Sequence, residues 1–364
     1  MHSIPSNTLH PLFERHQKEY EQKALDVLRS GFYIMGEELA AFEKEFAAYC
    51  GAKYCVGVAS GLDALWIAMH LLGIGAGNEV IVQGNTFIAG VMGISKTGAT
   101  PVFAEPDGHF AMDPSRLEAL LTPRTKAVLV THLYGMMTPM EPFVSFCEKH
   151  GLRLIEDCAQ AHGAKYGGKS AGSFGDAGCF SFYPTKNLGC FGDGGAIVTD
   201  DKTLAEKIRI FRNYGSEKKY YNSVAGTNSR LDELQAGLLR VRLGHMDELN
   251  DEKNRIAGRY FAGIRNRKIL LPSPAEDTEN VWHQFVIRCE ERDRLQQFLA
   301  DRGIGTMIHY PVPPHLSGAY AHLGLGPGSL PVTERLADTV LSLPSFIGLT
   351  EEDQTYIIDA VNAF

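Results

Sequence analysis

Between residues 54 and 199, short apolar runs rich in β-branched residues alternate with segments that repeat apolar positions every three or four residues. Tyr54–Ala59, Glu79–Val82, Thr100–Ala104, Ala127–Thr131, Arg153–Glu156, Cys179–Phe182 and Gly195–Thr199 read as strands. Leu62–Leu72, Phe87–Lys96 and Glu141–Lys149 read as helices between the earlier ones. Strands with little polar alternation are covered on both faces, so the pattern predicts an α/β fold with a mostly parallel seven-stranded sheet. The loop joining the last two strands is glycine-rich and too short for a helical crossover, which predicts one antiparallel member there.

Further along, Lys202–Phe211 is helical, and the amphipathic stretch Leu231–Leu249 runs into Glu252–Arg265. Beyond about residue 250 the pattern becomes α+β. A strand at Gln284–Arg288 and a charged helix at Glu291–Arg302 come first. A strand at Thr306–Tyr310, a Pro-rich loop, and helices at Thr333–Ser342 and Glu351–Ala363 follow. A chain of 364 residues exceeds one ordinary core. The expected division is a large α/β domain over 1–250 and a smaller α+β domain over 251–364, with Asp251–Lys253 as the boundary. At the other end, a polar helix over roughly Phe13–Leu28 stops at Ser30-Gly31, a C-cap signal, before the hydrophobic loop Phe32-Tyr33-Ile34.

Composition narrows the function. Hydrophobic residues at 44% and charged residues at 21% describe a globular chain that is neither disordered nor fibrous. A net charge of −8 argues against general nucleic-acid binding. Seven scattered cysteines include no C-x-x-C pair, so neither a disulfide framework nor a metal site is expected, and a reducing compartment is. Met1–Tyr20 is polar and no apolar run is long enough to span a bilayer, so the expected location is the cytoplasm, away from membranes.

The candidate chemistry centres on Lys186, the only charged side chain between Asp176 and Asp193, set among aromatic residues and glycines. A dry site favours the neutral amine, which can attack a carbonyl; pyridoxal phosphate (PLP) is the commonest reason to need such a lysine. The plain alternative is a buried, snorkelling lysine. Ser60-Gly61-Leu62, between a strand and a helix, suits a phosphate at a helix N-terminus, or is simply a serine cap. Asp157 ends a buried strand at the sheet's carboxyl edge, where it would keep a pyridine nitrogen protonated, or it caps a turn. Gln160, one turn on, is placed to bond a phenolic oxygen, while His162 reads equally as a structural histidine. Phe87 would cover a flat ring or belong to the core. Ser181, five residues before Lys186, would add a hydroxyl to the phosphate. No G-x-G-x-x-G turn follows the first strand, which excludes a nicotinamide site.

Three ordered motifs carry a resemblance: Glu156-Asp-Cys-Ala-Gln160-Ala-His162-Gly; Phe180-Ser181-Phe…Lys186-Asn-Leu-Gly…Gly192-Asp-Gly-Gly195; and Gly226-Thr-Asn228-Ser-Arg230-Leu-Asp-Glu-Leu-Gln235. Together they resemble the DegT/StrS family of PLP-dependent nucleotide-sugar aminotransferases, over nearly the whole chain from Ser30. The resemblance implies an aspartate aminotransferase-like fold (PLP fold type I) and a covalent imine between Lys186 and the cofactor aldehyde. It also implies Asp157 on the pyridine nitrogen, Gln160 near the phenolic oxygen, and Phe87 on the ring. Ser60, Gly61, Leu62 and Ser181 would hold the phosphate, with Asn228 reaching it from the neighbouring subunit of a homodimer. The segment Ile308-His309-Tyr310-Pro…His315…Tyr320 is similar to the branch acting on dTDP-3-oxo-6-deoxyhexoses, which implies Tyr183, His309 and Tyr310 at the sugar, with His315, Tyr33 and Arg230 as further substrate contacts. The plain alternative for that segment is a rigid Pro-rich linker. L-Glutamate is the implied amino donor. The chain departs from the usual pattern at Leu62, where threonine is common, and Cys158, where alanine is. A 4-oxo sugar aminotransferase, a PLP-dependent dehydratase and a non-catalytic PLP-binding regulator stay open as alternatives; lysine rather than histidine at 186 argues against the sugar 3-dehydratases.

Overall fold

A computed structural model describes residues 3–364. Its centre is a seven-stranded sheet: β1 (Tyr54–Val58), β2 (Glu79–Gln83), β3 (Thr100–Ala104), β4 (Thr125–Thr131), β5 (Arg153–Asp157), β6 (Ala177–Ser181) and β7 (Gly195–Thr199), in the order β1-β7-β6-β5-β4-β2-β3. The strands β2 to β6 pair in parallel, and β7 alone runs against both its neighbours, β6 and β1. The short glycine-rich connection from β6 to β7 forces that reversal, as the sequence anticipates.

Helices cover both faces. Glu37–Cys50, Glu141–His150 and Glu233–Leu243 bury Phe42, Phe46, Phe143 and Leu239 on one side. Gly61–Leu71, Ile88–Lys96 and Lys202–Phe211 bury Ile67, Met69, Ile94 and Ile208 on the other. Double coverage explains why these strands lack polar alternation: each presents apolar side chains to two cores. Register then sets the site. Thr131 aligns with Asp157 and Asp157 with Cys179, while Gly195 aligns with both Ser181 and Val58. The carboxyl ends of β4, β5 and β6 and the start of β7 therefore meet along one edge, and the chain feeding Gly61–Leu71 leaves from beside them.

Several expectations are corrected. The predicted helix Phe13–Leu28 is two helices, His10–Arg15 and Gln17–Ser30, separated at His16; Gly31 closes the second with φ of 69°. The stretch from Leu231 breaks at Gly244-His245 into Glu233–Leu243 and Met246–Gly263. The expected boundary at Asp251–Lys253 falls inside the second of these, without interruption. Met246 belongs to the core beside the large sheet, whereas Ile256, Ala257 and Tyr260 pack into the C-terminal core, so one helix serves both. Thr306–Tyr310 is not a strand; only Met307 bridges to Ser342. The predicted helix Thr333–Ser342 is Pro331–Thr339, and Val340–Leu343 instead pairs antiparallel with Phe285–Cys289. That apolar segment suits a helix end or a strand by pattern, and the neighbouring strand decides.

Candidate active site

A cavity of about 470 Å³ opens at the carboxyl edge of the sheet. It brings together Ser60, Gly61, Leu62, Phe87, Asp157, Gln160, Ser181, Tyr183, Lys186, His309 and Tyr310 from five separate segments.

One end is a helix N-terminus set against a strand end. The helix Gly61–Leu71 starts at Ser60, whose Oγ accepts from the Asp63 N–H at 3.1 Å. Both readings of Ser60 thus meet in one residue, a cap at the mouth of a cavity. Space here is tight: a Cβ on Gly61 would lie 2.5 Å from Ser181 Cβ and 3.1 Å from Ser181 Oγ. One on Gly195 would lie 2.4 Å from the Ser60 carbonyl carbon. The glycines let a helix N-terminus, a hydroxyl and the start of β7 converge, an arrangement that favours a phosphate. Leu62 brings no hydroxyl, so the side-chain hydroxyls at this end are those of Ser60 and Ser181.

The acid and the amine share the rest of the floor. Asp157 is buried; its Oδ1 accepts from the Ala159 N–H at 3.1 Å, and Oδ2 takes no hydrogen bond from the described residues. Burial pushes its carboxyl up, against the opposing pull of the Ala159 N–H, Lys186 and His132. Lys186 is brought down to about 8 by burial, opposed by the Asp157 charge. Its side chain stays partly accessible from the cavity. An amine so depressed has a substantial neutral fraction near neutrality, which nucleophilic attack requires. Beneath Asp157, Glu156 is fully buried and accepts from the N–H groups of Gly172, Phe174 and Gly175 and pairs with His132 at 3.1 Å, which fixes the end of β5.

The third wall is a hydrogen-bonded chain. Gln160 Nε2 donates to the Tyr310 hydroxyl at 3.0 Å, and Gln160 Oε1 accepts from the Tyr134 N–H. The Tyr134 hydroxyl donates to the His309 carbonyl, and His309 Nδ1 bonds Ser342 Oγ at 2.7 Å. Burial, with Lys186 nearby, lowers His309 to about 4, so its imidazole is neutral at physiological pH. Burial raises the Tyr310 phenol, which keeps it a hydrogen-bond donor. Phe87 sits half-exposed at the N-terminus of Ile88–Lys96, its ring 5.2 Å from that of Tyr310.

Four predicted residues do not line this cavity. His315 is completely buried, bonded to Glu334 at 3.1 Å and against the Phe103 ring, so its imidazole faces the core and has no route to a ligand. Asn228 donates to the Tyr214 hydroxyl at 2.8 Å, and Arg230 bonds Asn213 with its guanidinium 5.5 Å from the Tyr214 ring. Tyr33 is exposed, its hydroxyl on the Leu28 carbonyl. His162, left open by the sequence, is fully buried between Phe180 and Phe182 and lowered to about 3 by burial: a core histidine. Conversely, Thr131, His283 and Gln284 line the cavity without having been singled out. Gln284 reads only as the start of a strand, and His283 precedes it. They reach the site because Gly135, at φ of 80°, lets the Leu133–Met136 turn press onto them; a Cβ there would lie 2.6 Å from the His283 nitrogen. No local signal announces that contact.

A mixed sheet with one reversed strand, a helix N-terminus at its carboxyl edge, a buried acid ending β5 and a depressed lysine define an aspartate aminotransferase-like protein. The chain belongs to the DegT/DnrJ/EryC1/StrS aminotransferase family, whose model matches residues 14–362. Two similar relatives are each 49% identical. The dTDP-3-amino-3,4,6-trideoxy-alpha-D-glucose transaminase of Streptomyces venezuelae aligns over 98% of this chain and 95% of its own length. The dTDP-3-amino-3,6-dideoxy-alpha-D-galactopyranose transaminase of Aneurinibacillus thermoaerophilus aligns over 99% of both. Among solved structures, S. venezuelae DesV in complex with a ketimine intermediate superposes with a TM-score of 0.98 at 48% identity, over 100% of this chain and 98% of that one. NtdA from Bacillus subtilis, with bound cofactor PMP, does so at 0.92 and 29% identity, over 99% and 85%.

Proposed function

We propose that the protein is a PLP-dependent aminotransferase that moves an amino group from L-glutamate to C3 of a dTDP-linked 3-oxo-6-deoxyhexose. The observation that carries this reading is the placement of Lys186, Asp157 and the His309-Tyr310 pair around one cavity. Bound there, PLP supplies an aldehyde that exchanges between amines and a ring that takes up the electron pair left when a carbon-bound proton departs.

The residues present fit that group. The N-terminus of Gly61–Leu71, with Ser60 and Ser181, would hold the phosphate; Asp157, with Oδ2 uncommitted among the described residues, would hold a protonated ring nitrogen; Gln160, fixed by Tyr134 and Tyr310, would lie near the phenolic oxygen; Phe87 would cover a ring face. Lys186, neutral in part near pH 8, would take the proton from the amino-bearing carbon as a base and, as the resulting ammonium, give it to the cofactor carbon that had carried the aldehyde. His309 and Tyr310, with Tyr183 at the exposed rim, bond sugar hydroxyls and the oxo group. Both relatives named above are dTDP-3-amino sugar transaminases that differ in the sugar, which supports C3 and the dTDP carrier.

A homodimer in the cytoplasm completes the reading. Asn228, Arg230 and Tyr214 stand outside their own cavity, near the exposed Tyr220 and Tyr221, and Phe32–Met35 present an apolar surface. Such a patch marks an interface, across which Asn228 would meet the partner subunit's phosphate and Arg230 its substrate. Among the described residues no helix is long and apolar enough to cross a membrane.

The test is competition between dTDP-3-oxo and dTDP-4-oxo sugars with glutamate as donor, with products identified by mass spectrometry and NMR. The 3-amino sugar and 2-oxoglutarate are expected in equal amounts. Preference for the 4-oxo sugar overturns the position of amination, and an absorbance spectrum unmoved by glutamate overturns the activity.

A further inference from the structure

Behind the segment that carries Lys186 lies a second, much smaller cavity of about 40 Å³. Thr185, Lys186 and His283 line both cavities and form the wall between them. Besides Lys186, two basic side chains line the smaller one, Arg242 and Lys253, each only 6% exposed. No carboxylate lines it.

Neither cation has an acidic partner among the described residues. Arg242 donates to the carbonyls of Gly189 at 3.1 Å and Lys186 at 2.9 Å, and its buried Nε has no partner. Lys253 Nζ donates to the carbonyls of His283, at 3.2 Å, and Ser345. The one acid that bears on Lys253 is its chain neighbour Glu252, which is committed to Arg15 at 2.6 Å and the Gly348 N–H at 2.6 Å. Neutral carbonyls offset only part of the cost of removing an ion from water, and two like charges in one dry place raise that cost. The expected remedies are loss of a proton or capture of a counter-ion. Lys253, lowered to about 7 by burial, takes the first in part; Arg242 takes it poorly, because even with burial lowering it to about 10 it is charged at neutral pH.

From this we infer that the cavity lined by Arg242 and Lys253 binds a small monovalent inorganic anion of chloride size. The volume sets the class. A water needs roughly 10–15 Å³, so 40 Å³ gives room for a halide and is small for a nucleotide or a dicarboxylate. The ion would tie down the shared wall at two points, since Arg242 holds the Lys186 carbonyl and Lys253 the His283 carbonyl. The inference is independent of which sugar the enzyme uses.

Crystals of the full-length holoenzyme soaked in sodium bromide provide the test. An anomalous bromine peak within contact distance of Lys253 Nζ or the Arg242 guanidinium is expected; bromide confined to surface sites, with this cavity holding only water, overturns the inference. In solution, Tm in sodium chloride should exceed Tm in sodium gluconate at equal ionic strength by about 2 °C or more, because gluconate is too large to enter. Equal Tm values in the two salts overturn it. Lys253→Met should lose the bromide peak and most of the chloride effect, and a variant that keeps both overturns it. If that variant does not fold, the two wild-type measurements decide.

Discussion

Gly61 and Ser181 stand so close that the Cβ of any other residue at 61 would lie 2.5 Å from the Ser181 Cβ. A helix start and the end of a central strand are thus locked together where an anion is to be held. Gly61→Ala must push them apart. We predict a loss of about 1–3 kcal/mol in stability and a fall in cofactor affinity of about tenfold or more, read by absorbance titration of the cofactor-free protein. Unchanged affinity would show that the phosphate is held elsewhere.

Asp157→Asn keeps the shape and removes the charge. Because Oδ2 has no partner among the described residues, fold stability should change little. Turnover should fall by about two orders of magnitude or more, since a neutral amide cannot hold a proton on a weakly basic ring nitrogen. Steady-state kinetics beside thermal unfolding separates the two effects; activity within threefold of wild type would remove Asp157 from the proposed role.

For Lys186 the sign of the pH dependence follows from its position at about 8 in the folded protein, against about 10.4 when unfolded. Below pH 8 both states hold the proton and the burial penalty is full. Between these values only the unfolded state holds it, so stability rises with pH, by at most about 1.4 kcal/mol per unit. Lys253, lowered to about 7 by burial, acts in the same sense from a lower pH. Urea unfolding of cofactor-free protein between pH 7.5 and 9.5 should show a shallower rise for Lys186→Met than for wild type. Parallel curves would mean that the amine is not depressed. Lys186→Ala should also abolish transamination, by about 1,000-fold or more.

Tyr310 and His315 lie five residues apart in one Pro-rich segment and have opposite surroundings. Tyr310→Phe, which removes a hydroxyl facing the cavity and bonded to Gln160, should raise KM for the sugar about tenfold with a smaller change for glutamate. His315→Asn should cost about 1–3 kcal/mol of stability by breaking the buried bond to Glu334 and leave both KM values within twofold. A sugar-specific KM effect at His315 would reverse this assignment.

The chain alone determined the α/β class, the seven strands and the reversed one among them, because doubly covered strands and a loop too short for a crossover leave a local record. It also singled out Lys186, Asp157 and the Ser60-Gly61 turn, since a lone charge among aromatics, an acid ending a strand and a small-residue helix start are each local patterns. Tertiary structure decided the rest. Whether His315 faces a ligand or the core depends on where Glu334 and Phe103 pack. Val340–Leu343 became a strand because Phe285–Cys289 was there to pair with it. His283 and Gln284 entered the site through contact with the Leu133–Met136 turn, some 150 residues away in sequence. Those outcomes depend on which segments meet, a long-range property that no window of neighbouring residues encodes.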